Sequence, residues 1–121
     1  MSTMAVILIV EDEWQIADLV REVCEDEGYT VEVAVNGQEA LVLLERGPPD
    51  LVLSDVMMPV LDGRALCRLL HAHPIYHTIP IILMSAGRES LVQDVPHTAF
   101  LAKPFSIAGL LATLAQHLPT P

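Results

Sequence analysis

Basic residues are scarce in this chain of 121 residues: five arginines and a single lysine, Lys103, stand against 16 carboxylates, for a formal net charge of -10. A polyanion repels phosphate backbones, which argues against direct nucleic-acid binding by this domain. Long apolar runs are also missing. None reaches the ~18 residues needed to span a bilayer. The run at residues 5–10 has no basic residue before it and an acidic cluster straight after it, so it does not read as a signal peptide. These absences point to a cytoplasmic protein without a membrane partner. Cysteine is limited to Cys24 and Cys67, each inside a helical pattern, and both read as reduced, mostly buried thiols. Repeats, low-complexity segments and internal linkers are lacking. No glycine-rich phosphate loop follows the first apolar run, which excludes the common nucleotide-binding enzymes.

What is present is core. Hydrophobic residues make up 52% of the chain, and the length suits one domain, residues 1–121. Residues 4–10 read as a first strand. Ile16, Leu19, Val20 and Val23 then fall at i, i+3, i+4 and i+7, one apolar helix face closed by Gly28. Residues 30–35 alternate and are β-branched, an edge strand with Glu32 outward. Asn36-Gly37 reads as a turn. A second helix over residues 38–46 turns Ala40, Leu43 and Leu44 inward and stops at Gly47-Pro48-Pro49. Residues 51–53 are an apolar run too short for a helix, read as a strand buried on both faces and ending at Asp55.

Asp62-Gly63 opens a third helix with Leu66, Leu69 and Leu70 inward. Residues 79–84 form a fourth strand, with Pro80 tolerated at its start. Residues 88–94 allow one or two helical turns before Pro96, which cannot continue a helix. Residues 98–101 read as a fifth strand. A last helix aligns Ile107, Leu110, Leu111, Leu114 and Leu118. The tail from Leu118 to Pro121 fits either a natural end or the start of a linker. The strict βαβαβαβαβα alternation predicts an α/β fold: one doubly wound parallel sheet with helices on both faces and right-handed crossovers.

In such a sheet the carboxyl ends of the strands share one rim, the usual ligand edge. The first strand delivers Glu11 and Asp12 there, the third Asp55, the fourth Ser85 and the fifth Lys103. Three adjacent carboxylates repel one another unless neutralised. A hard divalent cation such as Mg²⁺ does this with oxygen ligands. A lysine and a hydroxyl opposite suit phosphate oxygens. Together these are the parts needed to move a phosphoryl group onto a carboxylate.

Five motifs in order resemble the receiver domain of two-component response regulators: V-E-D-E at residues 10–13, S-D-V-M-M-P at 54–59, D-G at 62–63, M-S-A at 84–86 and F-L-A-K-P-F at 100–105. The resemblance covers nearly the whole chain. It implies the CheY-like, flavodoxin-like strand order 2-1-3-4-5. It implies that Asp55 accepts a phosphoryl group from a sensor histidine kinase or phosphotransfer protein. Asp12, Asp55 and the backbone carbonyl of Met57 would bind Mg²⁺, with Glu11 acting mostly through a water. Ser85 would hydrogen-bond the phosphate and Lys103 would pair with it, ahead of Pro104 at the family's cis-proline position. Phe100 stands where the family keeps a rotating aromatic, here without a hydroxyl. Ser85 and Phe100 would be the switch. Such a domain is not an enzyme in the turnover sense, and its output passes to an effector domain or a downstream protein.

The segment between Ser85 and Lys103 departs from the family pattern, shorter by about one helical turn. It predicts a short or irregular fourth helix, more mobile than the others, and either a monomer or a dimer of non-standard kind. His71, His73 and His77 lie in one stretch. Pro74 interrupts them and no thiolate or carboxylate flanks them, so they read as a solvated helix end. Trp14, beside the acidic rim, reads as a partner contact or a lid. Two rivals stand beside the phosphoacceptor reading. One is a receiver-fold interaction module that works without phosphorylation, against which the full set Asp12, Asp55, Ser85 and Lys103 speaks. The other is an aspartyl-phosphate phosphatase, which needs a second carboxylate two residues past the nucleophile, where this chain has Met57.

Overall fold

Strand-forming residues in this chain come in runs of four or five, and the middle runs have no polar side to turn to water. In a computed structural model describing residues 4–118 they form a five-stranded parallel sheet in the order β2-β1-β3-β4-β5. The strands are β1 (Val6–Val10), β2 (Thr30–Ala34), β3 (Leu51–Asp55), β4 (Ile81–Ser85) and β5 (Ala99–Ala102). All of β3 and β4 is buried, whereas the outer strands β2 and β5 are half-covered. The four α-helices are α1 (Trp14–Asp26), α2 (Gly37–Arg46), α3 (Gly63–Ala72) and α4 (Ile107–His117).

Alternate side chains on each strand go to opposite faces. Ile7, Ile9, Leu51, Leu53, Ile82 and Met84 pack under α1 and α4. Leu8, Val10, Val52 and Leu83 pack under α2 and α3 on the other side. Each fully buried leucine or isoleucine contributes about 1.5–3 kcal/mol. The predicted fold, strand order included, is therefore the observed one.

Helix ends follow from local chemistry. Gly28 takes φ 99° after α1, with Gly28 N–H donating to Glu25 and Tyr29 N–H to Cys24, a Schellman closure that only glycine makes cheaply. Asn36 is not a turn residue, as expected, but the N-cap of α2: its side chain accepts from Glu39 N–H at 2.9 Å, and Gly37 is already helical. Asp62 caps α3 the same way, accepting from Ala65 N–H at 2.9 Å.

Three helix faces differ from the expected ones. Leu19, Leu69 and Ile107 are exposed. The faces against the sheet are Ala17, Val20 and Cys24 on α1, Leu66, Cys67 and Leu70 on α3, and Leu110 and Leu114 on α4. Each set still has helical spacing, but on α1 and α3 an alanine and cysteines share the line of closest approach, and counting leucines misplaces it. Cys24 and Cys67 are buried free thiols, as expected, and burial pushes them up to about 11 and about 12, too high for thiolate chemistry.

Strand bounds shift by one or two residues. Met4 precedes β1 and is exposed, Val35 lies past β2, Pro80 lies just before β4, and Thr98 precedes β5, where its hydroxyl accepts from Ile81 N–H at 2.9 Å. The expected short fourth helix is a four-residue 3₁₀ turn, Glu89–Val92. Val92 and Val95 anchor it in the core. Pro119 to Pro121 of the tail lie outside the described residues.

Candidate functional site

The register of the sheet determines which side chains meet. Val10 pairs with Ser54, Asp55 with Met84, and Ser85 with Ala102. Glu11 therefore ends level with Asp55, with Ser85 one residue and Lys103 two residues further along the same end of the sheet. They lie on the rim identified from sequence, around a cleft of about 550 Å³ that Asp12, Asp55, Met57, Ser85 and Lys103 line. Glu11, Asp12 and Asp55 each bring a carboxylate oxygen within 4.8 Å of the others. Glu11 is 1% exposed and Asp55 7%, while Asp12 is open to solvent.

Lys103 is the cation of this cluster. Its Nζ donates to Glu11 Oε1 at 2.6 Å and lies 3.1 Å from Asp55 Oδ1. The peptide bond that follows it, to Pro104, is cis, at the position expected. Lys103 N–H donates to the Ser85 carbonyl at 2.8 Å, tying β5's end to β4's. The Lys103–Glu11 bond is the part of the site that sequence reasoning missed. Motif order gave both residues, but not that the buried glutamate would hold the lysine.

The electrostatics follow from burial. Burial holds the Glu11 carboxyl above its usual range, against the pull of the Lys103 hydrogen bond, and the charge of Asp55 adds to the rise. Burial also raises Asp55. Lys103 opposes the rise and the charge of Asp12 adds to it. Lys103 itself is lowered by burial, but the Glu11 hydrogen bond and the charges of Asp55 and Glu11 outweigh that and leave it raised. One lysine does not neutralise three carboxylates, so the cluster has a deficit of positive charge.

Ser85 is buried at the end of β4, and its Oγ accepts from Gly87 N–H at 3.0 Å. Met57 reaches the cleft and its side chain is exposed. Phe100, on β5 opposite Leu83, is half-buried against the α2/α3 core. Trp14 begins α1 just past the acidic run and is 73% exposed.

Two glycines at this rim leave no room for a side chain. A Cβ on Gly63 would sit 2.3 Å from the Asp55 carbonyl oxygen and 3.0 Å from Val56 Cα, so α3 starts pressed against the backbone that carries Asp55. A Cβ on Gly87 would meet Leu91 Cδ1 at 2.4 Å. A glycine at the first helical residue was the available signal for the first, because it forgoes helix propensity at a position any residue can fill.

Comparison with known proteins agrees with this geometry. Residues 7–115 match the response regulator receiver domain. A probable transcriptional regulatory protein of Picosynechococcus is 39% identical over 123 residues, covering 93% of this chain and 48% of that protein. The chain thus spans about half the length of most curated relatives it matches. The chemotaxis protein CheY4 of Vibrio cholerae superposes with a TM-score of 0.89 at 32% identity, covering 96% of this chain and all of that one. The receiver domain of sensor histidine kinase PA1611 from Pseudomonas aeruginosa, solved with a magnesium ion in its active-site cleft, superposes at 0.87 with 28% identity, covering 95% and 98%. The family is a family of signalling modules, and this chain belongs to it: it is a response regulator receiver domain of the two-component systems.

Proposed function

We propose that the domain is a phosphoaspartate switch, in which Asp55 takes a phosphoryl group from the phosphohistidine of a sensor histidine kinase or phosphotransfer protein in the cytoplasm. The observation that carries this reading is the Asp55 carboxylate at the cleft mouth, 3.1 Å from the only lysine and within 4.8 Å of two further carboxylates.

The donor set fits Mg²⁺. It is all oxygen, it is short of positive charge, and its three carboxylates can each offer an oxygen within 4.8 Å of the other two. Asp12, Asp55 and the Met57 carbonyl are the residues that would hold the ion, with Glu11 behind a water and tied to Lys103. When bound, the ion neutralises charge on the phosphoryl oxygens. The Asp55 carboxylate oxygen attacks phosphorus, the donor's P–N bond breaks, and its electron pair returns to the imidazole. A mixed anhydride on Asp55 results. Lys103, already between two carboxylates, meets the new charge with a small shift. Ser85 donates its hydroxyl hydrogen to a phosphate oxygen while its Oγ accepts from Gly87 N–H, and draws residues 86–89 inward. Phe100 follows by packing alone, having no hydroxyl. The domain promotes its own phosphorylation and hydrolysis and turns over no other substrate.

For the kinase we propose the face beside the rim. Ile16, Leu19, Pro104 and Phe105 line an apolar cleft of about 350 Å³, and Trp14, Gln15 and Asp18 stand next to it on α1. The output goes to an effector domain or a downstream protein. The 3₁₀ turn Glu89–Val92 offers less surface than a full helix, which favours a monomer or an unusual dimer.

The test is intact mass after incubation with a small acyl phosphate and Mg²⁺. One added phosphoryl group is expected, and none on Asp55→Asn. An equal adduct on Asp55→Asn would overturn the assignment. Leu19→Asp should slow transfer from the cognate kinase and leave the small-donor reaction unchanged.

A further inference from the structure

At the opposite end of the sheet from Asp55 three histidines from three elements line one cleft of about 220 Å³. His71 lies in the last turn of α3, His77 in the 3₁₀ helix Tyr76–Thr78, and His97 in the loop leading to β5. Ile79, Ile81, Pro96 and Thr98 complete the wall. His97 is 20 residues beyond His77, so sequence proximity gave no hint that they meet. His73, which sequence groups with the others, is spent otherwise: its Nδ1 accepts from Ile75 N–H at 3.0 Å and Tyr76 N–H at 3.2 Å, and its ring stacks on Tyr76.

The hydrogen bonds of two of the three select a tautomer. His77 Nδ1 lies 3.0 Å from the His73 carbonyl oxygen, and His97 Nδ1 lies 2.8 Å from that of Val95. A carbonyl oxygen only accepts, so in both rings Nδ1 carries the hydrogen and Nε2 carries the lone pair. That backbone bond on the far nitrogen is the outer-shell arrangement that orients metal-binding imidazoles and makes them better donors.

We propose that His71, His77 and His97 form a binding site for a borderline transition-metal ion, Zn²⁺, Cu²⁺ or Ni²⁺, separate from the acidic rim. Imidazole nitrogens suit these ions and not Mg²⁺. The net charge of -10 favours a cation over an anion here. Among the described residues, the acidic trio is the one group of three whose ligand atoms already lie within 4.8 Å of one another. The histidine cluster therefore closes on the ion by side-chain rotation of exposed His71, while His77 and His97 keep their backbone bonds. No carboxylate or thiolate lines the cleft, so water completes the coordination.

The experiment is a Zn²⁺ titration by calorimetry with Mg²⁺ in excess, so that the rim is occupied. One equivalent should bind. Loss of an orienting partner alone weakens metal binding about 10–100-fold, so His77→Gln and His97→Gln, each losing a ligand, should weaken it at least tenfold. His117→Gln, on α4 and the other sheet face, and Asp12→Ala should leave it unchanged. With Cu²⁺, electron spin resonance should show coupling to at least two nitrogens. Zn²⁺ affinity indifferent to both His77→Gln and His97→Gln, or lost in Asp12→Ala, would overturn the site. Because His77 is exposed, His77→Gln remains decisive even where His97→Gln unfolds.

Discussion

The two segments that leave the central strands are built in opposite ways. After β3, residues 56–63 are pinned by backbone: Val56 N–H donates to Met84, Gly63 N–H to Val56, and Gly37 N–H to Leu61, each at 2.9 Å. Within it Val60 is held at φ 70°, a conformation β-branched residues avoid, by a Leu61 N–H to Pro59 bond. After β4, residues 86–94 make one 3₁₀ turn and are held by side chains. Arg64 donates to the Leu91 carbonyl and to Asp94, and Arg68 also reaches Asp94, at 3.1 Å. Backbone pairs fix the frame around Asp55, whereas exposed ion pairs are weak and salt-screened. The rim thus has a half fixed by backbone, which carries Asp55, and a half held by side chains.

The sharpest way to break this contrast is one methyl group on each side. Gly63→Ala drives Cβ into the Asp55 carbonyl and should cost about 3 kcal/mol, at the upper end for overpacking. Gly87→Ala meets only side-chain atoms, the tip of Leu91 at 2.4 Å and Ser85 Oγ at 3.3 Å, and should cost less than about 1 kcal/mol. Denaturant melts measure both, and equal costs would remove the distinction.

Next comes the charge on the fixed half. Glu11 and Asp55 are raised in the folded state, so their contribution to stability is present below their ordinary values and is lost as pH rises through the folded ones. Lys103, also raised, adds stability below its ordinary value and loses it only as pH rises through its own folded value, in the alkaline range. Without divalent cations the melting temperature should therefore fall from mildly acidic to neutral pH. Mg²⁺ at a hundred times its Kd should add about 2.7 kcal/mol at neutral pH, and less in acid, where protons compete. Melting scans with and without Mg²⁺ check the crossover.

Smaller effects sharpen the picture. Val60→Gly should stabilise by about 1 kcal/mol, because relief of strain exceeds the entropy that glycine adds to the unfolded chain. Arg64→Ala should leave the global melt nearly unchanged yet speed amide exchange in Glu89–Val92 several-fold, as high salt should in the wild type.

Much of this was legible beforehand because parallel sheets leave plain marks. The buried runs of β3 and β4 and their polar ends place Asp55 and Ser85, and Pro96 shortens the fourth helix. Side-chain partners across long separations were not legible. Nothing local says that Lys103 holds Glu11, that Arg64 clamps Leu91, or that His97 joins His71 and His77. Those pairings depend on register and loop path. The exposed Leu19 and Leu69 show the same limit: periodicity finds a stripe, and contact with the sheet decides which stripe turns inward.

The central claim, that phosphorylation of Asp55 moves the side-chain-held half and leaves the backbone-held half in place, is tested most directly by amide hydrogen exchange with and without a small acyl phosphate and Mg²⁺, with Asp55→Asn as control. The account predicts altered protection across residues 86–94 and at Phe100, none across residues 56–63, and none anywhere in Asp55→Asn beyond what Mg²⁺ alone produces. Altered protection confined to residues 56–63, or the same change in Asp55→Asn, would contradict it.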